Sequence, residues 1–277
     1  MGGSICCLGS INADITLLLD RLPERHEKLA AQRAAIGGGG SAANTAVWLA
    51  RQGARTRMLG WVGNDPLGAM ALRDLAANGV DTRGVKLLPV ASPFAVCLSP
   101  PDDKRIIFSP VVEAAWTPYD AMSFDEDVAW LHTTVCDAEL LARARSLASA
   151  RAFAISLELD GRYDPAFARA ANVLFTNQDE LARVLGTEDP VGFIAQRHKD
   201  DAAVWFVTQG EHGVCVIAAG EVSRVAFPPV EPIDRTGGGD AFNAGVIAAL
   251  MSGSNAKAAA AAGLKLAAQA IGRLGAR

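Results

Sequence analysis

Apolar residues recur along this 277-residue chain with two periods. Short, nearly unbroken apolar runs at 5–8, 58–62, 128–132, 152–157, 173–176, 204–208 and 214–217 have the length of strands buried on both faces. Between several of them the apolar positions fall every three or four residues. Residues 41–53 read this way: Ser41 opens the segment, Ala42, Ala43, Ala46, Val47, Leu49 and Ala50 share a face, and Gly53 closes it. Residues 67–77 before Asn78-Gly79, 138–148, 179–185 and the Ala-rich 256–270 are predicted helices on the same grounds. Strands alternating with helices predict an α/β fold whose parallel sheet is covered on both faces. Residues 15–36 and 85–108 break that alternation. They read as short strands added at one edge, a small β-lid, with Pro100-Pro101-Asp102-Asp103 as the turn of a hairpin.

Half of the residues are hydrophobic, enough for one large domain or two small ones. The formal net charge is −4, no Lys/Arg run occurs and aromatics make up 6%, which argues against a nucleic-acid surface. Local N–H groups can still hold an anionic ligand. Five cysteines (Cys6, Cys7, Cys97, Cys136, Cys215) include no C-x-x-C, and four scattered histidines include no H-E-x-x-H. The reading is reduced, buried thiols and no structural metal. The first twenty residues are interrupted by Asn12 and Asp14 and lack a basic segment, so they do not read as a signal peptide. Cys6 occupies the Ser/Thr position of a myristoylation motif, and no apolar run is long enough to span a membrane. A cytoplasmic protein is expected.

Two glycine clusters carry the candidate chemistry. In Asp234-Arg235-Thr236-Gly237-Gly238-Gly239-Asp240-Ala241-Phe242, three glycines stand between two carboxylates and an apolar helical pattern follows. N–H groups at such a helix start converge on an anion, and the helix dipole adds positive charge. Asp240 reads either as a base that takes a proton from an attacking hydroxyl or as a simple helix cap. The second cluster, Gly37-Gly38-Gly39-Gly40-Ser41-Ala42-Ala43-Asn44, also opens a helix. Its Gly38-x-Gly40-x-x-Ala43 spacing fits a dinucleotide fingerprint in form only. No clear strand precedes it, and the strand at 58–62 ends without the acidic residue that would bind a ribose. Close approach of a polyhydroxy ligand, with Asn44 supplying an amide, is the alternative. No Gly-Lys dipeptide occurs, which excludes a Walker A loop, and the protein-kinase H-R-D and D-F-G motifs are absent.

In chain order these segments resemble the signatures of the ribokinase-like (PfkB) family of small-molecule kinases. The resemblance rests on G-G-S-A-A-N-T-A-V-W-L-A-R-Q-G at 39–53 and D-R-T-G-G-G-D-A-F-N-A-G at 234–245. Gly9-Ser10-Ile11-Asn12-Ala13-Asp14, the turn 60–68, Asn177-Gln178-Asp179-Glu180 and Thr208-Gln209-Gly210-Glu211-His212-Gly213 fall at the expected places between them. The resemblance implies one domain, 1–277, with a three-layer α/β/α fold and a lid formed by approximately 12–36 and 85–110. It implies transfer of the γ-phosphoryl of ATP to a hydroxyl of a sugar or sugar-like acceptor, with Mg²⁺. Asp240 takes the role of base, and Gly237, Gly238 and Gly239 form the anion hole. Asn12, Asp14, Gly39, Gly40 and Asn44 would hold the acceptor. Asn177, Glu180, Thr208, Gly210 and Gly213 would serve the nucleotide, Glu180 ordering Mg²⁺ through water. Some relatives bind a monovalent cation such as K⁺ at the position of Asp234. A homodimer through the lid edge is also implied.

Each segment has a plainer reading beside this one. Asn177–Glu180 alone is a capped helix start, Thr208–Gly213 a β-turn, Asp14 an exposed charge, and Asp65-Pro66 turn chemistry. Two departures stand out: Arg235 replaces a common Thr, and Ser41 replaces the Lys of ribokinases. The chain stops at Arg277, where ribokinases continue, so the nucleotide side near 264–272 is expected to be more open or completed by a neighbour. Phe94, Phe108 and Trp116 near the lid keep a nucleoside kinase as an alternative, and a binding protein without turnover is another.

Overall fold

A computed structural model describes residues 3–101, 105–110 and 127–277. The first part of the chain forms β1 (Ser4–Leu8), β2 (Asn12–Leu18), β3 (Arg33–Gly39), α1 (Ser41–Arg51), β4 (Thr56–Gly63), α2 (Pro66–Ala77) and β5 (Asp81–Leu88). Then come β6 (Phe94–Ser99), β7 (Arg105–Phe108), β8 (Val128–Thr133), α3 (Ala138–Arg151), β9 (Ala154–Glu158), α4 (Pro165–Ala170) and β10 (Val173–Asn177). The last part forms α5 (Gln178–Leu185), α6 (Pro190–Arg197), β11 (Val204–Thr208), β12 (Val214–Ala218), β13 (Glu221–Val225), α7 (Gly238–Met251) and α8 (Ala256–Ile271).

Nine strands form one sheet in the order β13-β12-β11-β10-β9-β8-β1-β4-β5. Pairing is parallel from β5 through to β11, and antiparallel at β12 and β13. Alternation along each strand feeds two cores. Ile5 and Cys7 join Ala46 and Trp48 of α1, Phe242 of α7 and Leu264 of α8. Their neighbours Cys6 and Leu8 join Leu140 and Leu141 of α3 and Ile194 of α6. The same switch separates Phe206 from Trp205 and Val214 from Cys215. A sheet with apolar residues on both faces must be covered on both, which yields three layers. The cysteines are free thiols, and all but half-buried Cys136 are buried.

The smaller sheet has the order β3-β2-β6-β7. Two features differ from the sequence reading. Residues 85–88, expected in the lid, belong to β5, which pairs with β4 through Gly60↔Val85 and Val62↔Leu87. The crossover through α2 returns the chain to the large sheet, as the other crossovers do. Conversely, the stretch before the glycine cluster is a strand. β3 pairs with β2 at Asn12↔Gly39, Ala13↔Gly38 and Asp14↔Gly37, so backbone pairing alone defines it there. Asp65 has the structural role expected of it. It caps α2 by accepting from the Gly68 N–H at 2.8 Å, and accepts the Ser92 hydroxyl and N–H, each at 2.7 Å.

Candidate active site

The carboxyl ends of parallel strands share one edge of the large sheet, where open α/β sheets place ligands. β9 ends there in Glu158, β10 in Asn177 and β11 in Thr208, while the segment after β1 supplies Ser10 and Asn12. The lid faces this edge with Phe94, Ala95, Ile106 and Phe108. Together they enclose a cleft of about 580 Å³ that Asp14, Gly40, Asn44, Glu180 and Asp240 also line. A second cleft, of about 360 Å³, lies between the segment after β11 (Gly210, Glu211, Gly213) and α8 (Leu264, Ala267, Ile271). Asn177, Thr208, Arg235 and Gly239 line both clefts. Trp116 lies outside the described residues.

Helix α7 starts beside that shared wall. Gly237 precedes it with φ +74°, and a side chain there would meet the Ala276 carbonyl oxygen at 2.2 Å. Only glycine meets both demands. The first-turn N–H groups of α7 have no intrahelical acceptor, so Gly238 and Gly239 present donors and the positive end of the dipole to the clefts. Asp240, in the same turn, is buried to 7% exposure. Its Oδ2 accepts the Asn44 side-chain amide at 2.8 Å, and its carbonyl accepts the Thr45 hydroxyl at 3.3 Å. These bonds tie α1 to α7, so Asn44 orients Asp240. Asn44 Oδ1 is buried without a protein partner, and Asn44 lines the larger cleft.

Gly39 does not line the cleft itself. A side chain there would come within 2.0–2.1 Å of the Asp14 carboxyl atoms, so the glycine makes room for Asp14, which is buried to 9% exposure. Asn177 lies at the start of α5. It caps α5, its Oδ1 accepting the Asp179 N–H at 2.8 Å and the Glu180 N–H at 3.4 Å, and it borders both clefts. Asp234 is buried at the base of the glycine loop. Its Oδ1 accepts the Thr236 N–H at 3.0 Å, the Thr236 hydroxyl at 2.7 Å and the Ser99 hydroxyl at 3.3 Å, and its Oδ2 accepts the Gly275 N–H at 2.9 Å.

Sequence reasoning missed Glu158. Its residue is partly exposed, but Oε2 is buried and lacks a protein partner. Burial pushes its carboxyl well above the usual range, the charges of Asp240, Asp160 and Glu180 push the same way, and a hydrogen bond with Asn243 opposes them. Burial, then the charge of Asp160, raises Glu180 as well. A signal was present: a carboxylate follows directly on the apolar run 152–157, at the strand end where parallel sheets carry function.

Comparison with known proteins agrees with this fold. Residues 3–277 match the family described as pfkB family carbohydrate kinase. An ATP-dependent ribose-1-phosphate kinase of Halopiger xanaduensis is 31% identical over 97% of this chain and 92% of its own length. A ribokinase of Bacillus subtilis is 28% identical over 92% of this chain and 88% of its own length. The structure of Arabidopsis thaliana ribokinase with ribose and ATP superposes with a TM-score of 0.81 at 21% identity, covering 100% of this chain and 95% of that one, a likeness of fold. A three-layer fold, a glycine loop opening α7 and a match along nearly the whole chain lead to one assignment: the protein belongs to the pfkB family of carbohydrate kinases, phosphotransferases with an alcohol group as acceptor.

Proposed function

We propose that this protein transfers the γ-phosphoryl group of ATP to a primary hydroxyl of a sugar or sugar-like acceptor, with Asp240 as general base. One observation carries the reading. Asp240 stands in the first turn of α7, beside the four residues shared by a polar, acidic cleft and a more apolar one. The acidic cleft suits an acceptor rich in hydroxyl groups: Asn12, Asp14 and the unpartnered Asn44 Oδ1 can each meet hydroxyls. The apolar cleft suits a nucleotide base between Phe227, Val230 and α8. Asp240 takes the proton as the acceptor oxygen attacks phosphorus. The N–H groups at 237–239 hold the charge on the transferred group, and ADP leaves toward the second cleft. Positioning of the two reactants supplies much of the rate.

The donor set fits Mg²⁺ held through water. Glu180, Asp160 and the orphaned Glu158 Oε2 line one wall, yet no group of three such ligands among the described residues is close enough to hold an ion directly. Bound Mg²⁺ would supply charge neutralisation for the nucleotide phosphates. Five carboxylates on the acceptor side (Asp14, Glu158, Asp160, Glu180, Asp240) favour an uncharged acceptor over a sugar phosphate. Phe94 and Phe108 in the same wall support a nucleoside as second reading, its base stacked on the lid. The edge strands β3 and β7 expose Ile36, Ile106, Ile107 and Phe108, which supports a homodimer closed through the lid. Five free thiols support a reducing, cytoplasmic setting.

The test is a coupled ADP-release assay across pentoses, hexoses, sugar acids, ribose 1-phosphate and nucleosides. The expected result is Mg²⁺-dependent turnover of a neutral sugar or nucleoside. Turnover of ribose 1-phosphate alone would overturn the neutral-acceptor assignment, and no turnover with any acceptor would favour a binding protein.

A further inference from the structure

The wall shared by the two clefts contains a single charge. Asn177, Thr208 and Gly239 are neutral, and Arg235 is cationic. Among the described residues that line either cleft, Arg235 is the one Arg or Lys side chain; five carboxylates line the larger cleft and Glu211 the other. A nucleotide's phosphates reaching that wall add negative charge where carboxylates already gather. Charges of one sign a few ångströms apart in a partly desolvated cleft repel strongly unless a cation stands between them. Arg235 is placed for that duty. Its side chain is 57% exposed, and its pairing with Glu211 Oε2, at 3.8 Å between two exposed side chains, is a weak tie. A guanidinium also matches two phosphoryl oxygens at once.

Its neighbour supplies the second observation. The family resemblance implies, for some relatives, a monovalent cation beside the residue matching Asp234. Here the Asp234 carboxylate is 2% exposed and meets four protein donors, from Thr236 (two), Ser99 and Gly275. A carboxylate satisfied in this way holds the loop without an ion, so these residues do not fit a monovalent-cation site. The positive charge beside the glycine loop is covalently attached, one residue on.

Resting on the kinase reading, we infer that Arg235 is a catalytic residue that leaves Glu211 to bind the γ-phosphoryl group, and that turnover needs no monovalent cation. The bond from the acceptor oxygen to phosphorus forms as the bond to the ADP oxygen breaks. The hydroxyl proton passes to Asp240. Arg235 bridges the transferred oxygens.

The experiment compares wild type with Arg235→Gln and Arg235→Lys, in potassium and in tetramethylammonium buffers. It measures kcat, KM for the acceptor, and the affinities of a non-hydrolysable ATP analogue and of ADP by calorimetry. Arg235→Gln should lower kcat ~100-fold, the scale of one lost donor to a developing charge. KM for the acceptor should stay within ~3-fold, a split expected when an interaction with the transferred group is removed. Analogue affinity should fall ~10-fold while ADP affinity changes little, the mark of a contact to the third phosphate. Arg235→Lys should recover part of the loss, and wild type should be equally active in both buffers. Unchanged kcat and analogue affinity in Arg235→Gln would overturn the role. Strong potassium activation of wild type would overturn the cation claim. If wild type turns over no acceptor, the kinase reading fails, and the analogue-to-ADP affinity ratio alone decides for or against Arg235.

Discussion

The larger cleft is walled by side chains that carry charge, the smaller mainly by backbone and hydrocarbon. Asp14, Glu158, Asp160, Glu180 and Asp240 line the first. Gly210, Gly213, Phe227, Val230, Pro232, Leu264, Ala267 and Ile271 make up most of the second. The architecture accounts for the difference. Strand ends and the lid hold the first cleft, and a strand end fixes a side chain with little freedom, as the proposed hydroxyl and base require. Loops and the flank of α8 shape the second, where the proposed nucleotide base needs contact area more than direction. The two meet at Asn177, Thr208, Arg235 and Gly239, and α7 delivers its N–H groups and Asp240 to that meeting point.

Substitutions that affect one cleft and spare the other would sharpen this contrast. The largest expected effect is that of Asp240→Asn, which keeps the size of the side chain and removes the proposed base. kcat should drop by ~10³-fold, within the range of general-base contributions, while ATP affinity stays nearly unchanged. Equal losses in turnover and ATP affinity would erase the division between clefts. Ile271→Ala trims the end of α8 in the second cleft. It should raise KM for ATP ~5-fold, about 1 kcal/mol of lost apolar contact, and leave KM for the acceptor alone. A matching change in acceptor KM would mean that the clefts are one site.

The smallest kinetic effect is expected at His132, which lines neither cleft. It is fully buried, its Nδ1 shares a 3.0 Å hydrogen bond with the Ser156 hydroxyl, and Ser156 accepts the Trp130 N–H at 2.8 Å. Burial holds the imidazole at about 3, far below its ordinary 6.5. Between those values the unfolded chain binds a proton that the folded protein refuses. The stabilisation is complete above pH ~6.5 and falls as pH drops, by at most about 1.4 kcal/mol per pH unit. Urea denaturation at pH 7 and pH 5 should therefore show wild type losing about 2 kcal/mol that His132→Gln does not lose, with kcat at pH 7 little altered. Parallel stability curves would contradict this assignment.

The same contrast governs what the sequence disclosed. The glycine loop, the start of α7, the Asn177 cap and the Thr208–Gly213 turn are local devices, so residue type and order reveal them. β3 was hidden because Gly37–Gly39 carry no side chains, and their strand character comes from pairing with β2. Residues 85–88 were misplaced because a short apolar run does not say which sheet receives it; pairing with β4 does. Glu158 comes to feel the charge of Asp240, and Asn44 meets Asp240, only after the chain has folded over long separations. The bond between Asn44 and Asp240 adds to the reading: Asn44, expected as a ligand for the acceptor, also holds the Asp240 carboxylate.

The most direct test is a crystal structure with Mg²⁺, a non-hydrolysable ATP analogue and the acceptor identified by the assay. The γ-phosphorus should lie among Asn177, Thr208, Arg235 and Gly239, with an acceptor hydroxyl about 3 Å from Asp240, the distance proton transfer needs. The base should rest against Ile271 and Leu264. Phosphates bound away from the start of α7, or an acceptor hydroxyl beyond the reach of Asp240, would contradict the account.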